Sequence, residues 1–504
     1  MIDKFLQFEK EYNLLNKSFL GFNYWGYIRT KIYHKLFDET EENTSKKQTK
    51  GSSSKLASII DKNSSSNVMS LLNNKVRFID VIYLLRNMTI KHPLLYRKKH
   101  KFLLFPSTRR TLLNGKFFAY WTDELADELG EECLNAESLD GTRHMRPYYN
   151  KRLLEIDVVD VNPVLFSGFS SFFHKKQTKS LKIIAENLEK IINNYFGKNI
   201  DILFLETLLI KRFFWWKSKR KFFCKLLKNI SPKIIIEIAS YDTNNMVLNE
   251  IARELGIVSI ELQHGVIGTG HIGYNYLTEK REHYMPDYLF TFSDFWKDNC
   301  RFPIGENKIK AVGYPFFENQ LKLYPKQKTN VDDIVIVFLS QPLYQNVIHA
   351  FCLDLVKYIA NIKSNIKIYY KLHPSEYSQP SEKWQDLVEE GCILVNDNRI
   401  PLYSLFAKSD IQIGVNSTSL FEGLAYDLKT FIINTSDSKE RMADLIDNDY
   451  AILCNTAKDV MPHLGKKNIS GKKCDDNVFF KKNGIKNILS EISNILGEDN
   501  EQLK

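Results

Sequence analysis

From about residue 76 the chain alternates short apolar runs with amphipathic stretches. Six runs read as strands: 101-KFLLFPS-107, 154-LEIDVVDV-161, 200-IDILFLE-206, 233-KIIIEIAS-240, 257-IVSIELQ-263 and 288-YLFTFS-293. They are short, rich in β-branched and aromatic residues, and separated by polar segments. Between 240 and 257 the segment NNMVLNEIARELGI has helical spacing and stops at Gly256. A strand–helix–strand order implies a parallel α/β sheet. After a polar break over residues 316–333 a second set begins: 334-IVIVFLS-340, 366-IKIYYKLH-373, 392-CILVND-397, 411-IQIGVN-416 and 429-KTFIINT-435. The expected fold class is therefore α/β, two tandem Rossmann-like domains over residues 76–318 and 330–465, hinged at the break. Residues 1–75 read as a helical N-terminal extension with a polar linker, 42-ENTSKKQTKGSSSK-55, and residues 466–504 as a tail with a helix.

The strand 257–263 runs into 263-QHGVIGTGHIGYNY-276, where Gly268, Gly270 and Gly273 spell G-x-G-x-x-G. A dinucleotide turn needs a strand before it, a helix directly after it, and an acid about 20 residues on. The strand and Asp287 are present, but GYNYLTEKREHYMP has no helical period, which argues against NAD. Glycine in this loop serves instead to bring backbone close to a partner. We expect that partner to be a substrate, with Gly265, Gly268, Gly270 and His271 forming an acceptor loop and His264 doing proton chemistry beside it.

Two further loops follow strand ends in the second half. These are 371-KLHPSE-376 and 416-NSTSLFEGLAY-426. Hydroxyls before an apolar helix suit an anion, and His373 or Lys371 would share it. Ser-Thr-Ser is equally an ordinary helix cap, and His-Pro an ordinary turn. It is the convergence of three loops at strand C-termini that points to a diphosphate-type ligand.

Composition narrows the partners. The 504 residues carry 70 Lys and Arg against 60 Asp and Glu, a net charge of +10, which favours anionic partners. None of the seven cysteines forms a C-x-x-C pair, so neither zinc nor a disulfide framework is expected. No apolar run of about 20 residues is present, and no signal sequence is evident, so a cytoplasmic protein is expected.

The segments 263-QHG-265, 286-PDYLFTFSDFW-296, 312-VGYPFFE-318, 373-HP-374 and 416-NSTSLFEGLAY-426 resemble those of GT-B glycosyltransferases. In particular they resemble bacterial capsule and lipopolysaccharide enzymes that include polysialyltransferases, Kdo transferases and CDP-glycerol glycerophosphotransferases. The resemblance spans about residues 230–435. It implies transfer of a sugar from a CMP-, CDP-, UDP- or GDP-linked donor to a growing surface glycan or lipid-linked glycan, with no cofactor and no metal. Lys371, His373, Pro374, Ser417, Thr418 and Ser419 would grip the donor phosphate, and Glu422 the ribose. His264 would be the base, with Glu261 and Asp287 in reserve, in an inverting displacement. The pattern departs from a Gly-rich first loop, where FLSQPLYQ stands, and from an E-x7-E pair, because Lys429 follows Glu422. The alternatives are a UDP-sugar 2-epimerase of the same fold and a non-catalytic assembly subunit.

One segment stands outside this scheme. In 211-KRFFWWKSKRKFFCKLLK-228 no acid interrupts eight basic residues, and six aromatic rings are interleaved. Lys217, Lys219, Arg220 and Lys221 would meet anionic headgroups while Trp215 and Trp216 sit at the interface. The expected location is the inner face of the cytoplasmic membrane, peripherally attached. A buried helix stripe is the competing reading; no motif for nucleic acid accompanies the patch.

Overall fold

The computed structural model describes residues 1–37, 85–140, 144–160, 174–278, 281–327, 333–360, 365–464 and 478–497. The expected linker, residues 42–55, lies outside them. Two helices open the chain, α1 (Ile2–Glu11) and α2 (Tyr24–Phe37). The first sheet follows, with β1 (Phe102–Phe105), β4 (Cys133–Glu137), β5 (Leu153–Glu155), β6 (Ile234–Ile238), β7 (Val258–Leu262), β8 (Tyr288–Thr291) and β9 (Ile309–Ala311). Its longer helices are α3 (Lys175–Phe196), α4 (Ile202–Ile230), α5 (Thr243–Glu254) and α6 (Pro315–Leu323). An antiparallel hairpin, β2 (Arg110–Leu113) and β3 (Lys116–Ala119), stands apart from the sheet and turns at Asn114 and Gly115, both with positive φ.

The second sheet holds β10 (Asp333–Leu339), β11 (Asn365–Lys371), β12 (Ile393–Val395), β13 (Ile411–Gly414), β14 (Lys429–Ile433) and β15 (Ala451–Cys454). Helices α7 (Gln345–Ile359), α8 (Leu402–Lys408) and α9 (Ser419–Leu424) connect them, and a closing helix, α10 (Gly484–Leu496), returns to the first domain. There Ile488 and Ile492 pack with Phe102, Ile234 and Val312.

Strand order decides where ligands go. The first sheet runs β5-β4-β1-β6-β7-β8-β9 and the second β12-β11-β10-β13-β14-β15. Every pair in both is parallel. Each order reverses once, between β1 and β6 in the first sheet and between β10 and β13 in the second. These are two tandem Rossmann-like domains. The crevice outside the strand C-termini at each reversal is the natural ligand site.

Several expected elements are corrected. Residues 200–206, read as a strand, begin the 29-residue helix α4, whose first turn is capped by the Asp201 carboxylate accepting from the Leu203 N–H at 2.9 Å. A short apolar run has no period that separates a strand from a buried helix. Of residues 154–161 only the start is extended, and Val158 to Asp160 are helical.

The aromatic rings of α4 also move. Trp215 and Trp216 are 3% and 8% exposed, so neither lies at a membrane surface. Trp216 donates to Glu250 Oε2 at 2.8 Å, and Arg220 pairs with Glu250 at 2.9 Å and Glu254 at 2.7 Å. Lys219 is buried and donates to the Asn244 side chain. The rings are consumed in joining α2 and α5 to α4, while Lys217, Lys221, Lys225 and Lys228 stay exposed on the opposite stripe.

The opening helices are part of the first domain's core. Arg29 is 1% exposed and pairs with Glu9, Nε to Oε1 at 2.7 Å. It also donates to the carbonyls of Ile272 at 2.7 Å and Asn275 at 3.0 Å. Burying this guanidinium is tolerable only because all of those acceptors are present.

Candidate active site

The two reversal points face each other: the loop after β7 meets Thr418, and Arg109 acts on both His264 and His373. From the first domain come the loop after β1, with Arg109, the loop after β6, with Tyr241, and the loop after β7, with His264. From the second come the loop after β10, with Gln341, the loop after β11, with His373, and residues 415–418 after β13. Gln341 and Asn416 lock across the second reversal: the Gln341 amide donates to Asn416 Oδ1 at 2.7 Å, and the Asn416 N–H donates back to Gln341 Oε1 at 3.0 Å. A cavity of about 660 Å³ lies against the first domain's strand ends, lined among others by Lys31, Arg109, Arg212, Tyr241, Asp242 and His264.

The glycine loop has a clear physical role, and it differs from the expected one. A Cβ on Gly265 would lie 2.8 Å from Thr418 Oγ1, and one on Gly270 would lie 2.8 Å from the Arg441 Cα. Gly268 similarly abuts the Asp444 carboxylate. At Gly265, Gly268 and Gly270 the second domain leaves no room for a side chain, so these glycines fit the domains together. The Val266 N–H donates to Thr418 Oγ1 at 3.3 Å across the same seam.

His264 stands at the cavity edge, where the sequence led us to expect it. Its Nε2 meets the Tyr241 hydroxyl at 3.2 Å and its Nδ1 the Tyr274 hydroxyl at 3.0 Å. Burial, with the nearby charge of Arg109, pushes its pKa down to about 3. The ring is neutral through the physiological range. His271 packs against Tyr241 and Tyr274, accepts from the Gly273 N–H at 3.1 Å, and is held neutral by burial and then by His264.

Glu261 is wholly buried within β7 and accepts from the Tyr274 hydroxyl. Its register partner across β6 is Glu237, also wholly buried. Burial raises both carboxyls, and Glu261 raises Glu237 further. Asp287, the other expected reserve base, is corrected. It sits before β8 at the opposite edge of the sheet, accepting from the Ser259 N–H at 2.9 Å and pairing with Arg281. That edge is roughly 10 Å from the strand C-termini at about 3.3 Å per residue, out of reach of the cleft.

In the second domain, Pro374 starts a one-turn helix capped by His373, whose Nδ1 accepts from the Ser375 N–H at 3.2 Å. Burial, then Arg109, lowers the ring's pKa. Lys371 donates to the Tyr377 hydroxyl at 2.7 Å and the Asp397 carbonyl at 2.6 Å, and burial lowers its pKa to about 8. Ser417 Oγ accepts from the Ser419 N–H at 3.2 Å. Helix α9 has only six residues, so the dipole expected of it is small, and its serines cap their own turn. Glu422 is buried; its Oε2 accepts from Tyr403 at 3.2 Å, and burial pushes its pKa up to about 7.

Sequence reasoning missed Tyr241 and, above all, Arg109, in 106-PSTRR-110 after β1. Its side chain is exposed and forms no ion pair among the described residues. Its charge acts on His264 and Tyr241 from one side and His373 from the other. A basic residue just past the first strand of a reversal point was the available signal.

No family model matches the chain, and no curated protein does. Solved structures do. A UDP-N-acetylglucosamine 2-epimerase aligns over 79% of this chain and 97% of its own at 10% identity and a TM-score of 0.44. MurG of Acinetobacter baumannii aligns over 79% and 99% at 11% identity and a TM-score of 0.45. The wall teichoic acid polymerase TagF aligns over 85% and 98% at 12% identity and a TM-score of 0.39. At such scores the function has to be argued from the site.

Proposed function

We propose that the chain is a glycosyltransferase that moves a sugar from a nucleotide-activated donor to a glycan acceptor, in surface polysaccharide or lipopolysaccharide synthesis. The carrying observation is the position of Arg109, a cation without an ion-pair partner among the described residues that acts on His264 and on His373. A phosphate between the domains would find that guanidinium on one side and His373 with Lys371 on the other. Charge developing on a leaving phosphate is what such a pair of donors stabilises. The acceptor would occupy the cavity on the first domain, its hydroxyl directed at Tyr241 and His264. The step as proposed is an inverting, metal-independent displacement.

The deciding experiment is a thermal-shift panel of CMP, CDP, UDP, GDP and NAD. A transferase is stabilised by one nucleoside phosphate, by about 2.7 kcal/mol at a hundred times Kd. Stabilisation by NAD alone, or by none of the five, overturns the reading, the second result favouring an assembly subunit. Incubation with UDP-N-acetylglucosamine separates the epimerase: it interconverts sugar nucleotides with net UDP retention, whereas a transferase releases nucleotide only with acceptor present.

Association with an anionic membrane is retained in a reduced form. The exposed residues Lys217, Lys221, Lys225 and Lys228 would supply it electrostatically, without ring insertion.

A further inference from the structure

A base with a depressed pKa poses a problem. His264 is in place to receive a proton, yet burial and Arg109 make its imidazolium costly. The structure offers somewhere for the proton to go. Tyr241 lines the cavity and its hydroxyl meets His264 Nε2 at 3.2 Å. His264 Nδ1 meets the Tyr274 hydroxyl at 3.0 Å, and that hydroxyl donates to Glu261 Oε1. Glu261 lies beside Glu237 in register on the adjacent strand, about 4.8 Å away in the ladder direction. Three side chains, Tyr241, His264 and Tyr274, thus connect the cavity to the buried Glu261 carboxyl, with Glu237 beside it on the next strand.

Directions along the chain are mutually consistent. With Tyr274 donating to Glu261, its oxygen accepts from His264 Nδ1–H. The bare Nε2 then accepts from the Tyr241 hydroxyl, which leaves an oxygen lone pair of Tyr241 facing the cavity. Two carboxylates cannot both stay ionised at this spacing in a dry interior, so the pair holds one proton and has room for a second.

We propose that Tyr241, His264, Tyr274 and the Glu237–Glu261 pair form a proton wire that draws a proton from a hydroxyl bound in the cavity and stores it within the first sheet. The proposal rests on the transferase reading for the identity of that hydroxyl. In the transfer step the acceptor oxygen bonds to the sugar carbon, and the bond from that carbon to the phosphate oxygen breaks. Its electron pair leaves with the nucleotide, toward Arg109 and His373. The acceptor's proton passes to the Tyr241 oxygen as Tyr241 passes its own to Nε2. Nδ1 releases its proton to Tyr274, and Tyr274 releases its own to Glu261. One O–H bond is lost at the acceptor and one is gained at Glu261; His264 is neutral before and after. The stored proton returns along the same route to water in the cavity once product has left.

The environment matches a proton store. Glu237 accepts from the Asn249 amide at 3.2 Å and feels Asp242 from the start of α5. At Glu261 burial raises the carboxyl against Ser240 and Tyr274, whose hydrogen bonds favour its ionised form. His264 is faced by His271 and Arg109. Arg109 thus resists charge on the imidazole, and Asp242 resists charge on the carboxyl pair. Tyr274, Glu261 and Glu237 are positioning residues; only Tyr241 and His264 meet the cavity.

The test uses the full chain with ¹⁵N-labelled histidine and the Tyr274→Phe variant, which keeps the ring and removes one oxygen. In the wild type, His264 should be neutral from about pH 5 to pH 8 and protonated on Nδ1. In Tyr274→Phe the tautomer should change. Turnover should fall by about 10²-fold with KM for donor held, and recover toward high pH. Glu261→Asp should recover part of the loss that Glu261→Gln does not. Should Glu261→Gln fail to fold, Glu237→Gln keeps the test open: it fixes the pair's proton, so the pH–rate profile should shift while the fold is retained. A wild-type His264 protonated on Nε2 overturns the wire, as does a folded Tyr274→Phe with unchanged turnover and pH profile. Loss of turnover with nucleotide stabilisation intact identifies the wire. Absence of nucleotide stabilisation in the wild type overturns the transferase reading, and the wire with it.

Discussion

Replacing His264 by Gln should change how the first domain's stability depends on pH, by an amount the structure fixes. Folded, the imidazole resists protonation down to about pH 3. Unfolded, it titrates near 6.5. Above about pH 6.5 neither state binds the proton, and the term vanishes. As pH falls below that, the unfolded chain takes up a proton that the folded chain refuses, and stability drops by about 1.36 kcal/mol per unit. At pH 5 the loss is about 1.5 units, or roughly 2 kcal/mol. Glu237 and Glu261 act in the opposite sense, because raised carboxyls stabilise the fold as pH falls. They are present in both proteins and cancel to first order. Gln preserves hydrogen bonding without titrating, so the variant should gain about 2 kcal/mol on the wild type between pH 7.5 and pH 5, whatever constant offset packing adds. Five of the six tryptophans, Trp25, Trp121, Trp215, Trp216 and Trp296, belong to the first domain, so fluorescence-monitored urea unfolding reads it selectively. An offset that is equal at the two pH values would refute the buried, neutral His264.

His373→Ala should lower turnover by about 10²-fold and weaken nucleotide stabilisation while leaving unfolding unchanged, since a lost phosphate donor costs about 3 kcal/mol; unaltered nucleotide affinity removes His373 from the site. Gly270→Ala sets a methyl against the Arg441 backbone, so the domains should part at a cost of about 1–3 kcal/mol, read as a larger radius of gyration by small-angle scattering. Arg29→Met leaves Glu9 buried and unpaired, and unfolding by urea should come about 3–5 kcal/mol sooner. Changing Lys217, Lys221, Lys225 and Lys228 to Glu should abolish co-sedimentation with anionic vesicles, about 1 kcal/mol per charge, while Trp215→Ala should act on stability instead.

Legibility followed the source of each signal. The strands 233–240, 257–263 and 334–340 were visible because a strand buried on both faces is a continuous apolar run. Strand β4, CLNAE, and the three-residue β9 were not, since polar Asn135 and Glu137 and a mere IKA carry no run to find. The α4 rings were misplaced because composition reports how many aromatics a helix has and not which neighbours cover them. His264, Lys371 and His373 were found from a local rule, that ligands gather at strand C-termini. Arg109 and Tyr241 required the strand order, because only the reversal between β1 and β6 makes the loops after them one site. The Glu237–Glu261 pairing depends on register, which no single segment encodes.

Arg29 grips the carbonyls of Ile272 and Asn275, the residues that bracket Tyr274, from a helix some 240 positions earlier in the chain. The loop on which Tyr274 rides is thus held from behind, by side chains no ligand touches. A saturation screen for lost activity should therefore return hits in residues 1–37, at Glu9, Trp25 and Arg29, that a map of ligand contacts would dismiss as bystanders. Supplying that helical pair as a separate peptide to a chain truncated before residue 38 would restore function only if it re-docks in register. The opening helices make the protein amenable to fragment complementation, with turnover itself as the reporter of their docking.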